Sequence, residues 1–374
     1  MKLWNITMMK PITRLEAEQH TILLSLSGSR LYGTYMESSD YDYKGIFIAP
    51  PEHKLGLQTV EQCDGKAFFD AGAAKLFEIL DGTDTVLYEL KRFFQLAIKA
   101  NPNVIEPLFA PRCAIKECTS VGYSLLANRQ MFVSDKLVSA LLGYADGQLY
   151  RLRQHKAWLD KGEIEKPVLT DFLPDGCPSI LGKQELNALY QLIWLQFKDK
   201  AELLDEESKA FLLERIQVKN SFNSQGLSDL LLATCSGKAK AAVQLLQGSQ
   251  SYASTMKQYK SYCHWKNNRN PERAALEAKC GYDSKHAMHL IRLLQMAYKA
   301  KTTGKIDVQV TGSPLQYLMQ IRRAEVPWEA VKLEADRLLA DIKSAKSVLP
   351  KKPDYAACNE LLLSISKRAY TNIT

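Results

Sequence analysis

Two aspartates separated by a single residue, Asp40 and Asp42, follow a glycine-serine turn at Gly28 and Ser29. Side chains at positions i and i+2 of a strand point to the same face, so these two carboxylates are predicted to converge. Carboxylate oxygens are the ligands that Mg²⁺ prefers in proteins. The glycine lets backbone N–H groups come close to a phosphate. Together these residues predict a metal-dependent site for in-line displacement at a phosphorus atom.

Other phosphate and metal motifs fit the same residues less well. A Walker P-loop needs lysine after its second glycine, whereas Thr34 follows Gly33. A dinucleotide-binding fingerprint needs a second glycine where Arg30 stands. The spaced aspartates also occur in sugar transferases, but the preceding Gly-Ser turn and the lack of a long α/β framework disfavour that class.

Three short strands and a helix are predicted around these residues in the first third of the chain. The strands are expected at 21–26, 41–49 and 85–88, where apolar and β-branched residues cluster, and a helix at 90–98. Beyond about residue 115 the strand signal fades. Helical spacing then recurs in five segments, with a long loop at 167–182: 133–160, 183–218, 226–247, 271–300 and 327–346.

Three longer stretches carry a family resemblance: GSRLYGTYMESSDYDYKGIFIAP, DTVLYELKRFFQLAIKANPNVIEPLF and, far downstream, GYDSKHAMHLIRLL. With its Gly-Ser turn and paired aspartates, the chain resembles the DNA polymerase β-type nucleotidyltransferase superfamily. Within it, the chain is similar to predicted bacterial and phage nucleotidyltransferases related to the RNA-ligase-associated group. The resemblance implies an α+β fold with a small mixed-sheet catalytic core at 1–112 and a larger helical domain at 113–374.

The resemblance also implies a third carboxylate on a later strand, which would complete a site for two Mg²⁺ or Mn²⁺ ions. Asp84, directly before the strand at 85–88, is the preferred match, and Glu89 is its rival on the same strand. Strict alternation puts these two side chains on opposite faces but does not choose between them. Asp70 and Asp81 are further candidates if the strand begins earlier.

The positive charge of the chain is concentrated in one segment. The chain has 49 basic and 41 acidic residues, a net charge of +8. Residues 256–305 hold eleven of the basic and three of the acidic residues, so this segment alone accounts for the +8. A local basic field suits a phosphate-bearing partner, and a solvated helix face is the alternative.

A helix within this segment is predicted to present cations to the nucleotide. Lys285, His289 and Arg292 share one face at helical spacing, and His286 lies on its edge. With Gly28, Ser29 and Arg30 they form the predicted nucleotide-binding set. An ordinary amphipathic helix with its polar face in water is the alternative.

Just upstream, aromatic residues alternate with cations in a pattern that suits stacking on bases and pairing with phosphates. The predicted nucleic-acid-binding residues are Trp265, Lys266, Arg269 and Arg273. Core packing is an equal alternative for Tyr259 and Tyr262. A zinc site is disfavoured because the nearby cysteines and histidines lack ligand spacing.

The predicted activity is therefore transfer of a nucleoside monophosphate from a nucleoside triphosphate to an acceptor hydroxyl, with release of pyrophosphate. An RNA end, tRNA included, is the preferred acceptor. The alternatives are a protein or small-molecule acceptor, or a non-catalytic RNA-binding module. Eight scattered cysteines without a CxxC pair indicate reduced thiols and a cytoplasmic protein, and no apolar stretch is long enough for a membrane span.

Overall fold

The computed structural model describes residues 14–56, 59–64, 84–173, 188–189, 192–193 and 237–371. Within these ranges the chain forms a five-stranded mixed sheet and thirteen α-helices, which confirms the predicted α+β class with a helical C-terminal part. No helix in the described ranges combines the length and apolar character that a membrane crossing requires.

The sheet has the strand order β3-β4-β2-β1-β5. Strands β2 and β4 run parallel, and the other neighbouring pairs are antiparallel. The strands are β1 (Thr21–Ser27), β2 (Asp42–Phe47), β3 (Gln62–Asp64), β4 (Asp84–Glu89) and β5 (Ile115–Cys118). The parallel pair is in register from Asp42 opposite Asp84 to Phe47 opposite Glu89, so both strands begin at one edge of the sheet with an aspartate.

The described residues contain thirteen α-helices along the chain. They are α1 (Arg14–Gln19), α2 (Gly28–Tyr32), α3 (Pro51–Leu55), α4 (Leu90–Ile98), α5 (Pro102–Ile105), α6 (Ser120–Ala127), α7 (Asp135–Lys161), α8 (Gly237–Asn267), α9 (Pro271–Cys280), α10 (Ser284–Thr303), α11 (Gly312–Arg322), α12 (Trp328–Ser344) and α13 (Tyr355–Thr371).

One hydrophobic core joins the sheet to the C-terminal helices. It holds Leu23 of β1, Phe93 of α4 and Ile291 of α10, all buried. A smaller cluster that includes Phe47 and Leu87 forms a second core. Burial of these large apolar side chains is the main favourable contribution to folding, at about 25 cal/mol per Å².

The chain divides into two compact units, 1–156 with 272–374 and 157–271. This division differs from the predicted boundary after residue 112. The reason is that α10, α11 and α12 contribute to the same core as the sheet, although they follow it by more than 150 residues.

Several predicted elements differ in extent from the observed ones. The helix predicted at 271–300 is two helices, because Gly281 adopts a left-handed φ of 75° and Asp283 caps the second helix by accepting from the His286 N–H. Strands β3 and β5 were not predicted, since three or four residues carry too little pattern. Most of the predicted helices at 183–218 and 226–247 lie outside the described residues.

Candidate active site

The Gly-Ser turn packs directly against Asp42. Ser27 ends β1 and pairs with Asp42, and Gly28 begins α2 with a left-handed φ of 62°. A Cβ atom on Gly28 would lie 2.0 Å from Oδ2 of Asp42, far inside van der Waals contact. The position therefore requires glycine both for its backbone conformation and for the space that the carboxylate occupies.

Asp42 and Asp84 are adjacent across the parallel strand pair. Burial raises the pKa of Asp42, and the negative charges of Asp84 and Asp40 raise it further. Lys285 and Lys44 oppose this shift. The site therefore concentrates three carboxylates near a half-buried position, where a cation would relieve their repulsion.

Glu89, the rival for the third carboxylate, lies at the other end of β4, opposite Phe47. Its Oε2 caps α4 by accepting from the backbone N–H groups of Lys91 at 2.7 Å and Arg92 at 3.3 Å. Its Oε1 lies 3.5 Å from Nζ of Lys54. The structure thus places Asp84, not Glu89, beside Asp42, while Asp70 and Asp81 lie outside the described residues.

Asp40 lies in the loop before β2, because the strand begins at Asp42 rather than at Tyr41. Arg30 organises this loop. Its guanidinium donates to the carbonyl of Ser39 at 2.7 and 3.1 Å and to that of Asp40 at 3.3 Å. It also lies 3.7 Å from the ring centroid of Tyr41. Arg30 therefore holds the backbone that carries Asp40, and its predicted phosphate contact remains a prediction.

Lys44 lies at this site, although the sequence motifs do not single it out. It lies two positions after Asp42 on β2, and its Nζ is 3.5 Å from Oδ1 of Asn103. Burial lowers the pKa of Lys44, and the charges of Glu106 and Asp42 oppose the shift. The i, i+2 spacing that pairs the aspartates also relates Asp42 to Lys44, and this was the signal available in the sequence.

Lys285, in the first turn of α10, is the predicted nucleotide-binding cation that the structure brings within electrostatic reach of Asp42. Burial lowers its pKa, as do the charges of Arg322 and Arg273, whereas Asp42 and Asp283 oppose the shift. The side chain is half-buried and makes no ion pair with any described residue.

Arg292, two turns further along α10, belongs instead to a buried network behind the turn. Its Nη1 lies 3.0 Å from Oε1 of Glu106, and the Tyr32 hydroxyl donates to Oε2 of the same carboxylate at 2.6 Å. The guanidinium lies 3.6 Å from the Tyr32 ring centroid, and the ring of His289 meets Tyr32 edge-on at 6.1 Å. These contacts fix α10 against α2.

His286 turns away from that network. Its Nδ1 lies 2.6 Å from Oε1 of Gln148, and its Nε2 is 3.5 Å from Oδ2 of Asp283. The predicted stripe on α10 thus divides: Lys285 is near the aspartates, while Arg292, His289 and His286 make contacts within the protein. A role for the last three in nucleotide binding remains a prediction.

Asp283 connects α7, α9 and α10 through its carboxylate. His155 Nδ1 lies 3.2 Å from Oδ2, Arg273 Nε donates to Oδ1 at 3.2 Å, and Arg273 Nη2 makes a short contact with Oδ2. Burial alone would raise the pKa of Asp283, but the His155 hydrogen bond and the charges of His286 and Arg273 lower it.

The oxygen and nitrogen atoms of His155, Asp283 and His286 all lie within 4.8 Å of one another, a spacing that suits a metal ion. Arg273 already engages both oxygens of Asp283, so this group is an ion-pair junction rather than a metal centre. The carboxylate oxygens of Asp40, Asp42 and Asp84 do not meet this 4.8 Å spacing as a group of three.

The predicted nucleic-acid-binding residues fall in different units. In the unit of residues 157–271, the rings of Trp158 and Trp265 lie 5.3 Å apart and Arg269 lies 4.3 Å from the Trp265 ring centroid. Lys266 pairs with Glu163 at 2.8 Å. Arg273 belongs to the other unit, where it binds Asp283. Contact of these residues with nucleic acid stays a prediction.

Comparison with known proteins agrees with the class of site that these residues define. Residues 5–163 match the family described as "RlaP: RNA repair pathway DNA polymerase beta family". The predicted resemblance to polymerase β-type nucleotidyltransferases is thereby confirmed over this part of the chain, which is under half of its length. The matched part contains Gly28, Ser29 and all three aspartates.

A relative from Enterobacteria phage T4, an "uncharacterized 38.9 kDa protein in nrdC-mobD intergenic region", is 32% identical over 130 residues. The match covers 34% of this chain and 37% of the phage protein. No solved structure matches this chain.

Proposed function

We propose that this protein is a divalent-metal-dependent nucleotidyltransferase that transfers a nucleoside monophosphate from a nucleoside triphosphate to an acceptor hydroxyl. The observation that carries this proposal is the register of the parallel strands. It sets Asp42 beside Asp84, at the end of the sheet where Gly28 leaves space for the Asp42 carboxylate. The family match over residues 5–163 supports the same activity.

The donor set fits Mg²⁺ or Mn²⁺, which bind carboxylate oxygens. Asp40, Asp42 and Asp84 would hold two such ions, as the resemblance implies. Burial raises the pKa of Asp42, and the charges of Asp84 and Asp40 raise it further. A bound divalent cation would relieve this repulsion. When bound, the ions would neutralise charge on the phosphoryl oxygens and favour the deprotonated form of the acceptor hydroxyl.

The residues of the chain supply position and charge. Gly28 and Ser29 provide a turn that phosphate oxygens can approach closely, and Lys285 adds positive charge on the side of α10. In the reaction the acceptor oxygen bonds to the α-phosphorus, and the bond from that phosphorus to the bridging oxygen breaks. Pyrophosphate leaves with the electron pair, and the hydroxyl proton passes to solvent. Most of the rate gain would come from positioning and charge neutralisation.

An RNA end is the proposed acceptor, and tRNA is one form to test. The matched family is described as part of an RNA repair pathway, and several exposed lysines lie on α8 and the helices that follow it. A protein or small-molecule acceptor would use the same carboxylates, because the fold alone does not set the acceptor.

The test is incubation of the full chain with each labelled nucleoside triphosphate, ATP first, with Mg²⁺ or Mn²⁺ and pools of tRNA, other RNA, DNA and protein. We expect label on RNA, and a loss of at least about 100-fold in Asp42→Asn and Asp84→Asn. Glu89→Gln is the matched control, because it removes a carboxylate from the far end of β4 yet keeps an oxygen to cap α4. It should retain transfer.

Two results would contradict the proposal. Absence of transfer to every acceptor, with salt-sensitive RNA binding that the aspartate variants leave unchanged, would indicate a binding module. Loss of transfer in Glu89→Gln with retention in Asp84→Asn would overturn the assignment of the third carboxylate.

A further inference from the structure

Two cations from the C-terminal helices act on each other electrostatically, and one of them, Lys285, is within electrostatic reach of Asp42. Lys285 lies in the first turn of α10, and Arg322 is the last residue of α11. The Ser284 hydroxyl donates to the Arg322 carbonyl at 3.1 Å, which fixes these two helix ends to each other. Both residues lie outside the stretch that matches the polymerase β family.

Arg322 differs from Arg292 and Arg273 in forming no ion pair with a residue that the structure describes, although the charge of Asp283 acts on it. Arg292 pairs with Glu106, and Arg273 pairs with Asp283. The Nε of Arg322, like that of Arg292, is buried without a hydrogen-bond acceptor among the described residues, but Arg292 has Glu106 as an ion-pair partner. A buried donor left unsatisfied is unfavourable, so such a group is typical of a site that an external acceptor completes.

The electrostatic surroundings point to an anion. The positive charge of Arg322 acts on both Lys285 and His289, and Asp42 is among the groups that act on Lys285. Folding thus holds Lys285 and Arg322 close enough to repel each other, although neither forms an ion pair with a described residue, and Lys285 is within electrostatic reach of Asp42. Cations concentrated in a partly desolvated cleft attract phosphates strongly.

We propose that Arg322 and Lys285 form a binding subsite for the β- and γ-phosphates of the nucleotide, and therefore for the pyrophosphate that leaves. This inference rests on the proposed nucleotidyl transfer and adds Arg322 as a substrate-binding residue. Gly28 and Ser29 would contact the same phosphates from the sheet side, and Arg322 and Lys285 from the helical side.

The test measures binding of inorganic pyrophosphate to the full chain by calorimetry, with and without Mg²⁺. Arg322→Gln should weaken binding about tenfold or more, as expected for loss of a charged hydrogen bond. Arg322→Lys keeps the charge and should lose less. Arg323→Gln is the matched control, since Arg323 is the exposed neighbour and should bind as the natural chain does. Circular dichroism and melting temperature verify folding.

Because this experiment needs no turnover, its outcome is separable from that of the transfer assay. Arg322-dependent pyrophosphate binding in a chain that transfers no label would retain the subsite and reject the reaction. Unchanged pyrophosphate affinity in folded Arg322→Gln would overturn the inference. So would a loss confined to 5′-phosphorylated RNA, which would assign Arg322 to the acceptor. In an active enzyme, Arg322→Gln should raise KM for the nucleotide.

Discussion

Gly28 shows at the scale of one residue how the backbone and the Asp42 carboxylate share space. The Gly-Ser turn predicts this glycine from the sequence, and the structure adds a left-handed φ and the contact with Asp42. The sequence predicts a glycine here because a tight turn before the paired aspartates needs a flexible backbone. The sequence does not predict the contact between Gly28 and Asp42, since this contact depends on how β1 pairs with β2.

Replacement of Gly28 by alanine should abolish most transfer without unfolding the protein. The new Cβ would displace the Asp42 carboxylate, and a misplacement of about 1 Å can cost roughly 100-fold in rate. Gly162→Ala is the control. Gly162 also has a positive φ, but a Cβ atom at this position would have no neighbouring atom within 4 Å. Both variants should lose about 1 kcal/mol of stability from the strained backbone.

Turnover measured with labelled nucleotide and unfolding measured in urea separate the two effects. Equal activity in the Gly28 and Gly162 variants would show that the close contact has no role in catalysis.

At the scale of elements, α10 is placed by contacts that its own sequence pattern does not reveal. Its i, i+4, i+7 spacing predicted that Lys285, His289 and Arg292 act together. The partners of Arg292 are Glu106 and Tyr32, which are 186 and 260 residues distant, so no local pattern could identify the buried pair. The parallel register of β2 with β4 likewise places Asp84, and not Glu89, beside Asp42, which alternation alone could not predict.

The contact of α10 with α7 predicts a pH-dependent stability. Burial lowers the pKa of His286 to about 4, from about 6.5 when exposed. Asp283 opposes the shift. The positive charges that add to the effect of burial are those of Arg273, His155 and Arg151. Between pH 6.5 and 4 the unfolded chain therefore binds a proton at this ring that the folded protein does not.

The free energy of unfolding should consequently fall as the pH decreases through this window, by up to about 1.4 kcal/mol per pH unit for this one proton. His289, whose pKa burial also lowers, contributes in the same direction. In His286→Gln the slope should be smaller by one proton, as measured by urea unfolding at several pH values. His264→Gln, at an exposed ring, is the control, and an unchanged slope in His286→Gln would contradict the argument.

At the scale of the whole molecule, the positive segment 256–305 does not form a single charged surface. Arg292 and Arg273 are bound to carboxylates, and Lys301 donates to the carbonyl of Ile342. The count of charges was available from the sequence, but their partners were not, because most of those partners lie far away in the chain. Within residues 256–305, the exposed lysines without an ion pair to a described residue are Lys257, Lys260, Lys279 and Lys305.

Two of these lysines, Lys257 and Lys260, lie three residues apart on α8 and offer a test of RNA contact. If both meet phosphates, Lys257→Gln/Lys260→Gln should reduce the slope of log K against log salt by about 1.4, at roughly 0.7 per phosphate contact on a single strand. The measurement is fluorescence anisotropy with a labelled single-stranded RNA over a range of salt. Lys343→Gln/Lys346→Gln is the control, because these two lysines are also exposed and three residues apart but lie outside α8. Equal slopes in the two double variants would exclude α8 from the RNA surface.

The shared core of the sheet and the C-terminal helices also sets an order of events during synthesis. The strands that bring Asp42 and Asp84 together leave the ribosome nearly 200 residues before Lys285, and the Tyr370 hydroxyl, which bonds to the Ala49 carbonyl, comes later still. Contacts this distant in sequence close late, because long loops must be ordered first. A nascent chain therefore contains the aspartates and Lys44 long before it contains Lys285, and a chain that stops short of α10 would keep these carboxylates with Lys44 alone to oppose them.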